Sequence, residues 1–287
     1  MEKVYNSVPK VDYFFMGGSS TFSIRFPEDL GAPGVQVVER KLVFRTPYGE
    51  SPIMKLFEVD GKLVLTTKMH GRRLGVSRAD SSRQVFWVAR EAGVKRILAE
   101  GGAGAINHLL ELRDLILCHD YIDLSLRRDV ELGGPHLLVM RDPVCPQLQQ
   151  LLYEVAAAQI RAKGDGRRLF RRGIYAVTDG RHWESRAEVQ MLKQMGADVV
   201  GQSLCPEVYL AREIGACYGR IDMIVNYAEG IVEDWKHEDL KDIFYNEAHF
   251  IGQIMLEALR RVDLNRTCQC ADLKKPTLLV DREYAEG

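Results

Sequence analysis

No run of apolar residues in this chain approaches the roughly 18 to 20 that a bilayer-spanning helix needs, so a membrane role is not expected. The start, Met1 to Lys10, carries no apolar block of the signal-peptide kind, and the compartment expected is the cytoplasm. A charge excess is lacking as well. Thirty-nine basic against forty acidic side chains leave a formal charge of −1, whereas a general polyanion binder needs a basic surplus. Nucleic acid is therefore not an expected partner, although a small anion held by a few local donors fits. There is no internal repeat and no low-complexity segment, which excludes solenoid architectures. Cysteine is sparse: six residues, at 118, 145, 205, 217, 268 and 270. Four stand singly, and such thiols in a reducing compartment are mostly small core residues. Only Cys268-Gln-Cys270 is paired. A metal site asks for two such pairs or for nearby histidines, and neither is visible; a plain polar tail is the first reading, a redox-active or vicinal disulfide pair the second, and zinc the third, so no metal is expected.

What is present is ordinary globular material: 287 residues, 46% apolar and 28% charged. That is enough to bury a large core and too apolar for dominant disorder. Length admits one large α/β domain or two small ones. No linker separates two halves, so a single domain over 1–287 is expected, with a polar tail from about 263.

The pattern alternates strands and helices. Val11 to Met16 reads as a buried strand running into Gly17-Gly18-Ser19-Ser20. Lys55 to Val59 and Lys62 to Thr67 flank Asp60-Gly61, a strong hairpin turn. Ser82 to Ala92 is an amphipathic helix stopped by Gly93, and Arg96 to Glu100 is a short strand ending at Gly101-Gly102-Ala103-Gly104. Leu115 to Cys118 is a strand, Gln147 to Lys163 a helix, and Ile174 to Val177 a strand. Ser185-Arg-Ala-Glu188 is a capping box opening a helix that Gly196 closes. Pro206 suits a first helical position, Tyr218 to Asn226 is a strand, and Leu240 to Arg261 is a long helix with Leu240, Ile243, Phe244, Ile251, Met255 and Leu259 on one face. This is the pattern of an α/β layer fold. Five strands stop at turns bearing glycine, hydroxyl, amide or carboxylate: 17–20, 101–104, 178–184, 201–203 and 225–226. In open α/β sheets ligands bind beyond strand carboxyl ends, so these turns are expected to share one pocket.

From Tyr175-Ala-Val-Thr-Asp-Gly180 onward the chain resembles a specific family. The carrying residues are Trp183-Glu184-Ser185, Ala187-Glu188, Gly196-Ala-Asp-Val-Val-Gly201, Pro206-Glu207, Ala211-Arg-Glu213 and Asn226-Tyr-Ala. Gly104-Ala-Ile-Asn107, Asp114 to Leu117, Asp120 to Asp123 and Gly17-Gly18 fit as well. This is the trimeric purine nucleoside phosphorylase and methylthioadenosine phosphorylase family, resembled over roughly residues 10 to 262. The resemblance implies a phosphorylase/hydrolase-like three-layer α/β fold with a central mixed, twisted sheet. It implies a cytoplasmic homotrimer in purine salvage that splits a purine nucleoside with inorganic phosphate, without metal or organic cofactor.

It also implies roles. Glu184 stands where the 6-oxopurine enzymes accept the N1–H of the base, and Asn226 where their amide donates toward O6 and N7; these two, with His70, form the expected catalytic set. Trp183, Gln202 and His237 are expected on the nucleoside, with His237 facing a free 5′-hydroxyl. Ser19, Ser20, Lys68, His70, Gly102 and Ser203 are expected around phosphate. The segment Val130 to Pro146 is expected to line a neighbour's pocket.

Several residues depart from the family pattern. Lys68-Met69-His70-Gly71 lacks the usual arginine beside the histidine, with arginines only at 72 and 73. Arg181 and His182 add bulk and charge beside Trp183, and Gln202 replaces the usual methionine under the ribose. Inosine- or guanosine-type phosphorolysis is the first expectation. A 5′-modified substrate such as 5′-methylthioinosine or 5′-methylthioadenosine is the alternative, and a non-catalytic trimeric nucleoside-binding protein is the alternative of another class.

Overall fold

A computed structural model describes residues 4–69, 73–180, 182–233 and 236–277, apart from the side chain of His237. In chain order the strands are β1 (Val4–Tyr5), β2 (Tyr13–Gly17), β3 (Val35–Thr46), β4 (Gly49–Glu50), β5 (Met54–Val59), β6 (Lys62–Lys68), β7 (Arg96–Ala105), β8 (Leu115–Ile116), β9 (Asp120–Asp123), β10 (His136–Leu138), β11 (Leu169–Phe170), β12 (Ile174–Val177), β13 (Val199–Gly201), β14 (Cys217–Tyr227) and β15 (Lys274–Pro276). The helices are α1 (Arg78–Ala92), α2 (Pro146–Lys163), α3 (Arg186–Gln194), α4 (Leu204–Glu213) and α5 (His237–Arg261).

Thirteen strands form one mixed sheet whose main path runs β1-β3-β5-β6-β2-β7-β13-β12-β9. Strand periodicity divides the core. On β2, Phe14 and Met16 join a cluster with Phe86 and Ala89 of α1 and Val208 and Ala211 of α4. Tyr13 and Phe15 point the other way, into a cluster with Leu152 of α2 and Ile251, Met255 and Leu259 of α5. Successive side chains of a strand face opposite sides, so this split makes three layers: helices, sheet, helices. The chain therefore has the α/β layer architecture that the alternating pattern implies, in the three-layer form that the family resemblance implies.

Local signals act where the residues place them. Asp60 and Gly61 both adopt positive φ, 47° and 79°, as a two-residue hairpin turn requires. Ser185 and Glu188 make both hydrogen bonds of the capping box at the start of α3. Helix α1 begins earlier than its apolar stripe suggests, because the Ser77 side chain accepts from the backbone of Asp80. Pro206 lies one residue past a non-helical Cys205, and the peptide joining them is cis, so it is not a simple first helical residue.

Gly101–Gly104 does not end a strand, as the glycines suggest; β7 runs through it to Ala105. Its first half pairs with β2 (Tyr13↔Arg96 to Met16↔Ala99), but its end pairs with β13 (Val200↔Gly104, Val199↔Ala105). Between these partners the edge of β7 at Gly101 and Gly102 is left open. The other edge pairs continuously with β14, apart from a register shift between Ile224 and Asn226. A cavity opens at this parting of the sheet.

Candidate active site

A cavity of about 740 Å³ opens at the parting of β2 and β13. All five segments singled out in the sequence reach it, through Ser19, Gly102, Glu184, Ser203 and Asn226 among others. Helix α1 closes one side with Arg78 and Ser81, and the start of α5 closes another with Leu240 and Phe244.

The bulge in β14 places the Asn226 amide at the cavity. A bulge inserts one extra residue and re-aims its neighbours, so Val225 and Asn226 both line the cavity although they are consecutive. The Asn226 amide nitrogen donates to the Tyr227 carbonyl at 2.9 Å. Glu184, half-buried, accepts from the Thr178 hydroxyl at 2.5 Å. Trp183, from the same loop, lies on the cavity wall. Gln202 lies over Gly180, where an added Cβ would meet its amide at 1.7 Å. Gly180 also holds a positive φ of 55°, so the position suits only glycine. Arg127 braces this side, donating to the carbonyls of Thr178 and Gln202 at 3.0 Å each.

The other end of the cavity is crowded with charge. Glu100 is 1% exposed, and the loop after β2 wraps around its carboxylate. The backbone N–H of Gly18 donates to it, as do those of Ser20 at 3.1 Å and Thr21 at 3.2 Å, and the Thr21 hydroxyl donates at 2.7 Å. Burial pushes the Glu100 carboxyl up, while the bonds from Thr21 and Gly18 pull it down. Beside it Arg220, also buried, donates to Asp222 at 2.7 Å and to the Ser203 hydroxyl at 3.0 Å, and lies 3.4 Å from Glu207. Burial works against the charge on Arg220, but Asp222 and its other neighbours outweigh it and hold the group protonated. Gly101 is glycine for this reason: an added Cβ would fall 2.1 Å from the Arg220 guanidinium.

The residues expected around phosphate divide as follows. Ser19, Gly102 and Ser203 line the cavity. The Ser19 hydroxyl accepts from the Gly102 N–H at 2.9 Å. Ser20 is fully buried and donates to the Gly101 carbonyl at 2.8 Å, behind the cavity wall. Lys68 turns to the Phe22 carbonyl at 2.6 Å and stands outside the lining. His70 lies outside the described residues, as does Arg181, and of His237 only its place as first residue of α5 is described.

The phosphorylase superfamily model matches residues 36–260. A relative from Moorella thermoacetica named "Probable 6-oxopurine nucleoside phosphorylase" is 30% identical over 246 residues, covering 83% of this chain and 92% of its own length. The chain belongs to the phosphorylase superfamily. An S-methyl-5′-thioadenosine phosphorylase of Pyrococcus abyssi is 27% identical over 273 residues, 93% of this chain and 98% of that one. In fold the chain is similar to a methylthioadenosine phosphorylase from Schistosoma mansoni in complex with adenine, at a TM-score of 0.78 and 20% identity, over 94% of this chain and all of that one.

Within this superfamily member, several lining residues escaped the sequence reading: Glu100, Arg220, Arg78 and Arg127, with Arg73 noted but given no role. One signal was available. Arg220 and Asp222 put two charges into a strand of apolar residues, and buried charges come in compensated groups.

Cys145 and Cys217 are buried in the core, as read from the sequence, but they are not single: both converge on the Cys268–Cys270 pair. Within the polar tail, β15 pairs with β10 in a two-stranded ribbon.

Proposed function

We propose that this protein cleaves 6-oxopurine nucleosides of the inosine and guanosine type by phosphorolysis, releasing the free base and ribose 1-phosphate. The observation that carries this reading is that Glu184 and Asn226, from separate loops, line one cavity with Trp183. The aromatic ring offers a face for a purine to stack on. The carboxylate accepts N1–H, which hypoxanthine and guanine have and adenine lacks. The amide donates toward O6 and N7. As the glycosidic bond lengthens, negative charge builds on the departing purine, and donors already in place stabilise it without reorganisation. Relatives named for 6-oxopurine nucleosides support this choice of base; those named for methylthioadenosine keep a 5′-modified ribose as the alternative.

In this reading phosphate is the co-substrate and no cofactor is used. Arg220, hydrogen-bonded to Ser203 on the cavity wall, is the cation at the anion end, and Ser19 and the Gly102 backbone complete it. Glu100 favours a second reading. It lines the cavity and holds the N–H donors of the first loop. In that reading it takes a proton from a water that attacks the anomeric carbon, the base leaves as before, and ribose is the product. Incubation of inosine with and without phosphate separates the two. Hypoxanthine release that needs phosphate and yields ribose 1-phosphate supports phosphorolysis; equal release in phosphate-free buffer supports hydrolysis.

The protein works as a homotrimer in this proposal. Leu74 and Leu126, which flank the lining residues Arg73 and Arg127, are 93% and 89% exposed. Apolar side chains so placed suit cover by a second copy at the cavity mouth. A solution mass of three times 32.5 kDa is expected at micromolar concentration, and a mass of 32.5 kDa contradicts it. No helix among the described residues is long and apolar enough to cross a membrane.

A further inference from the structure

Cys145, Cys217, Cys268 and Cys270 stand apart from the cavity, and none lines it. Their sulfur atoms all lie within 4.8 Å of one another, and those of Cys217 and Cys268 are 3.4 Å apart. Four thiolates bound tetrahedrally to zinc at about 2.3 Å have sulfur–sulfur edges of about 3.8 Å, so the cluster has the dimensions of such a site. Each sulfur faces three others rather than one partner.

The scaffold holds the cluster in place. Cys145 caps α2, and its N–H donates to the Tyr218 carbonyl at 2.7 Å; that of Cys217 donates to Lys95 at 3.0 Å. The segment carrying the other two cysteines is pinned by Gln147, which donates to the Asn265 carbonyl at 2.7 Å and accepts from the Thr267 N–H at 3.1 Å. Three of the four cysteines are buried, and Cys268 is half-buried.

A separate observation concerns Arg96, which is 1% exposed. It donates to the carbonyls of Asp263 at 2.9 Å and Asn265 at 2.8 Å, and to the Cys217 sulfur at 3.0 Å. Among the described residues no carboxylate lies within ion-pair distance of it. A guanidinium stays protonated in proteins, and a buried cation needs a compensating anion. Four thiolates around a divalent cation carry a net charge of −2, and one of the four sulfurs, that of Cys217, accepts directly from Arg96.

We propose that Cys145, Cys217, Cys268 and Cys270 form a tetrahedral zinc site that fastens the C-terminal segment to the body of the fold. All-thiolate tetrahedral coordination suits zinc among the common divalent ions. Binding releases the thiol protons to solvent and involves no change of oxidation state. A site closed by four protein ligands leaves no position for substrate, so the metal is structural. Just beyond it the chain enters β15, which pairs with β10 at Leu137↔Lys275, so the clip also secures residues 136–138.

The test uses the full chain, purified with reductant and without chelator. One zinc per chain by elemental analysis is expected, and replacement with Co²⁺ should give the visible absorption and thiolate charge-transfer bands of tetrahedral cobalt. Cys145→Ser and Cys268→Ser should each lose the bound zinc, while Cys118→Ser keeps it. Should those variants fail to fold, the wild-type chain still decides. An organomercurial titration should release one zinc as four thiols react, and stripping the metal with a strong chelator should lower Tm by roughly 10 °C. Freshly purified protein without stoichiometric metal overturns the proposal, whether its four thiols are free or joined in two disulfides.

Discussion

In the proposed reading the cavity has a base end and an anion end, and the two satisfy their polar groups differently. At the base end, Glu184 is held by one hydroxyl, from Thr178, and Asn226 by one carbonyl, from Tyr227. Both keep further hydrogen-bonding capacity for a ligand. At the anion end, Glu100 takes the N–H groups of the first loop, Ser19 takes that of Gly102, and Arg220 takes Ser203. One end is preorganised toward a ligand and the other is compensated internally. On the proposed function, an incoming phosphate competes with partners already in place, whereas a purine meets polar groups with hydrogen-bonding capacity to spare.

The contrast breaks most visibly on removing the buried cation. Arg220→Leu leaves Asp222 and Glu207 as uncompensated buried carboxylates, and a loss of about 3–5 kcal/mol is expected from urea unfolding. Glu184→Ala, at the open end, should change the same measurement by less than about 1 kcal/mol.

Next is pH. Burial pushes the Glu207 carboxyl from 4.5 up to about 7, against the pull of Arg220. A carboxyl that holds its proton more tightly in the fold contributes fully below its unfolded value, and that contribution is lost as pH rises toward the folded one. Stability should therefore fall between pH 4.5 and 7, by about 3 kcal/mol from this group, and Glu207→Gln should flatten the decline. A curve unchanged by that substitution would place the titration elsewhere.

Catalysis sharpens the comparison further. Glu184→Ala should lower kcat/KM for inosine about 10- to 100-fold, the effect of losing one buried hydrogen bond to the base. Glu100→Gln removes a negative charge from the anion end and should lower KM for phosphate about tenfold with kcat little changed. Loss of all turnover in that variant would favour Glu100 as a base acting on water. The smallest effect belongs to the frame: Ser185→Ala removes the cap of α3 next to Glu184 and should cost about 1 kcal/mol of stability.

Much of the frame was legible because its signals are local. Asp60-Gly61 fixes a turn by backbone conformation, Ser185 and Glu188 satisfy each other's backbone, and Gly93 ends α1 in the left-handed region. That Glu184 and Asn226 share one cavity was legible for the same reason, since both sit in recognisable segments. The anion end was not. Gly101 and Gly102 read as a turn, yet they are strand residues that lack a Cβ so that Arg220 and Ser19 can approach. Only the pairing of β7 with β14 brings Glu100 and Arg220 together. The cysteine cluster was hidden likewise, because three segments far apart in the chain converge there.

The most direct measurement of the central claim is kcat/KM for inosine and adenosine, at saturating phosphate, on the wild-type chain and on Asn226→Asp. Adenine presents no N1–H to Glu184 and carries a donor where Asn226 expects an acceptor. Two unpaired buried groups at about 1–3 kcal/mol each predict a preference for inosine of about 100-fold or more. The aspartate should narrow or reverse that ratio. A wild-type protein that prefers adenosine, or a ratio that Asn226→Asp leaves unmoved, would contradict the reading of this cavity as a 6-oxopurine site.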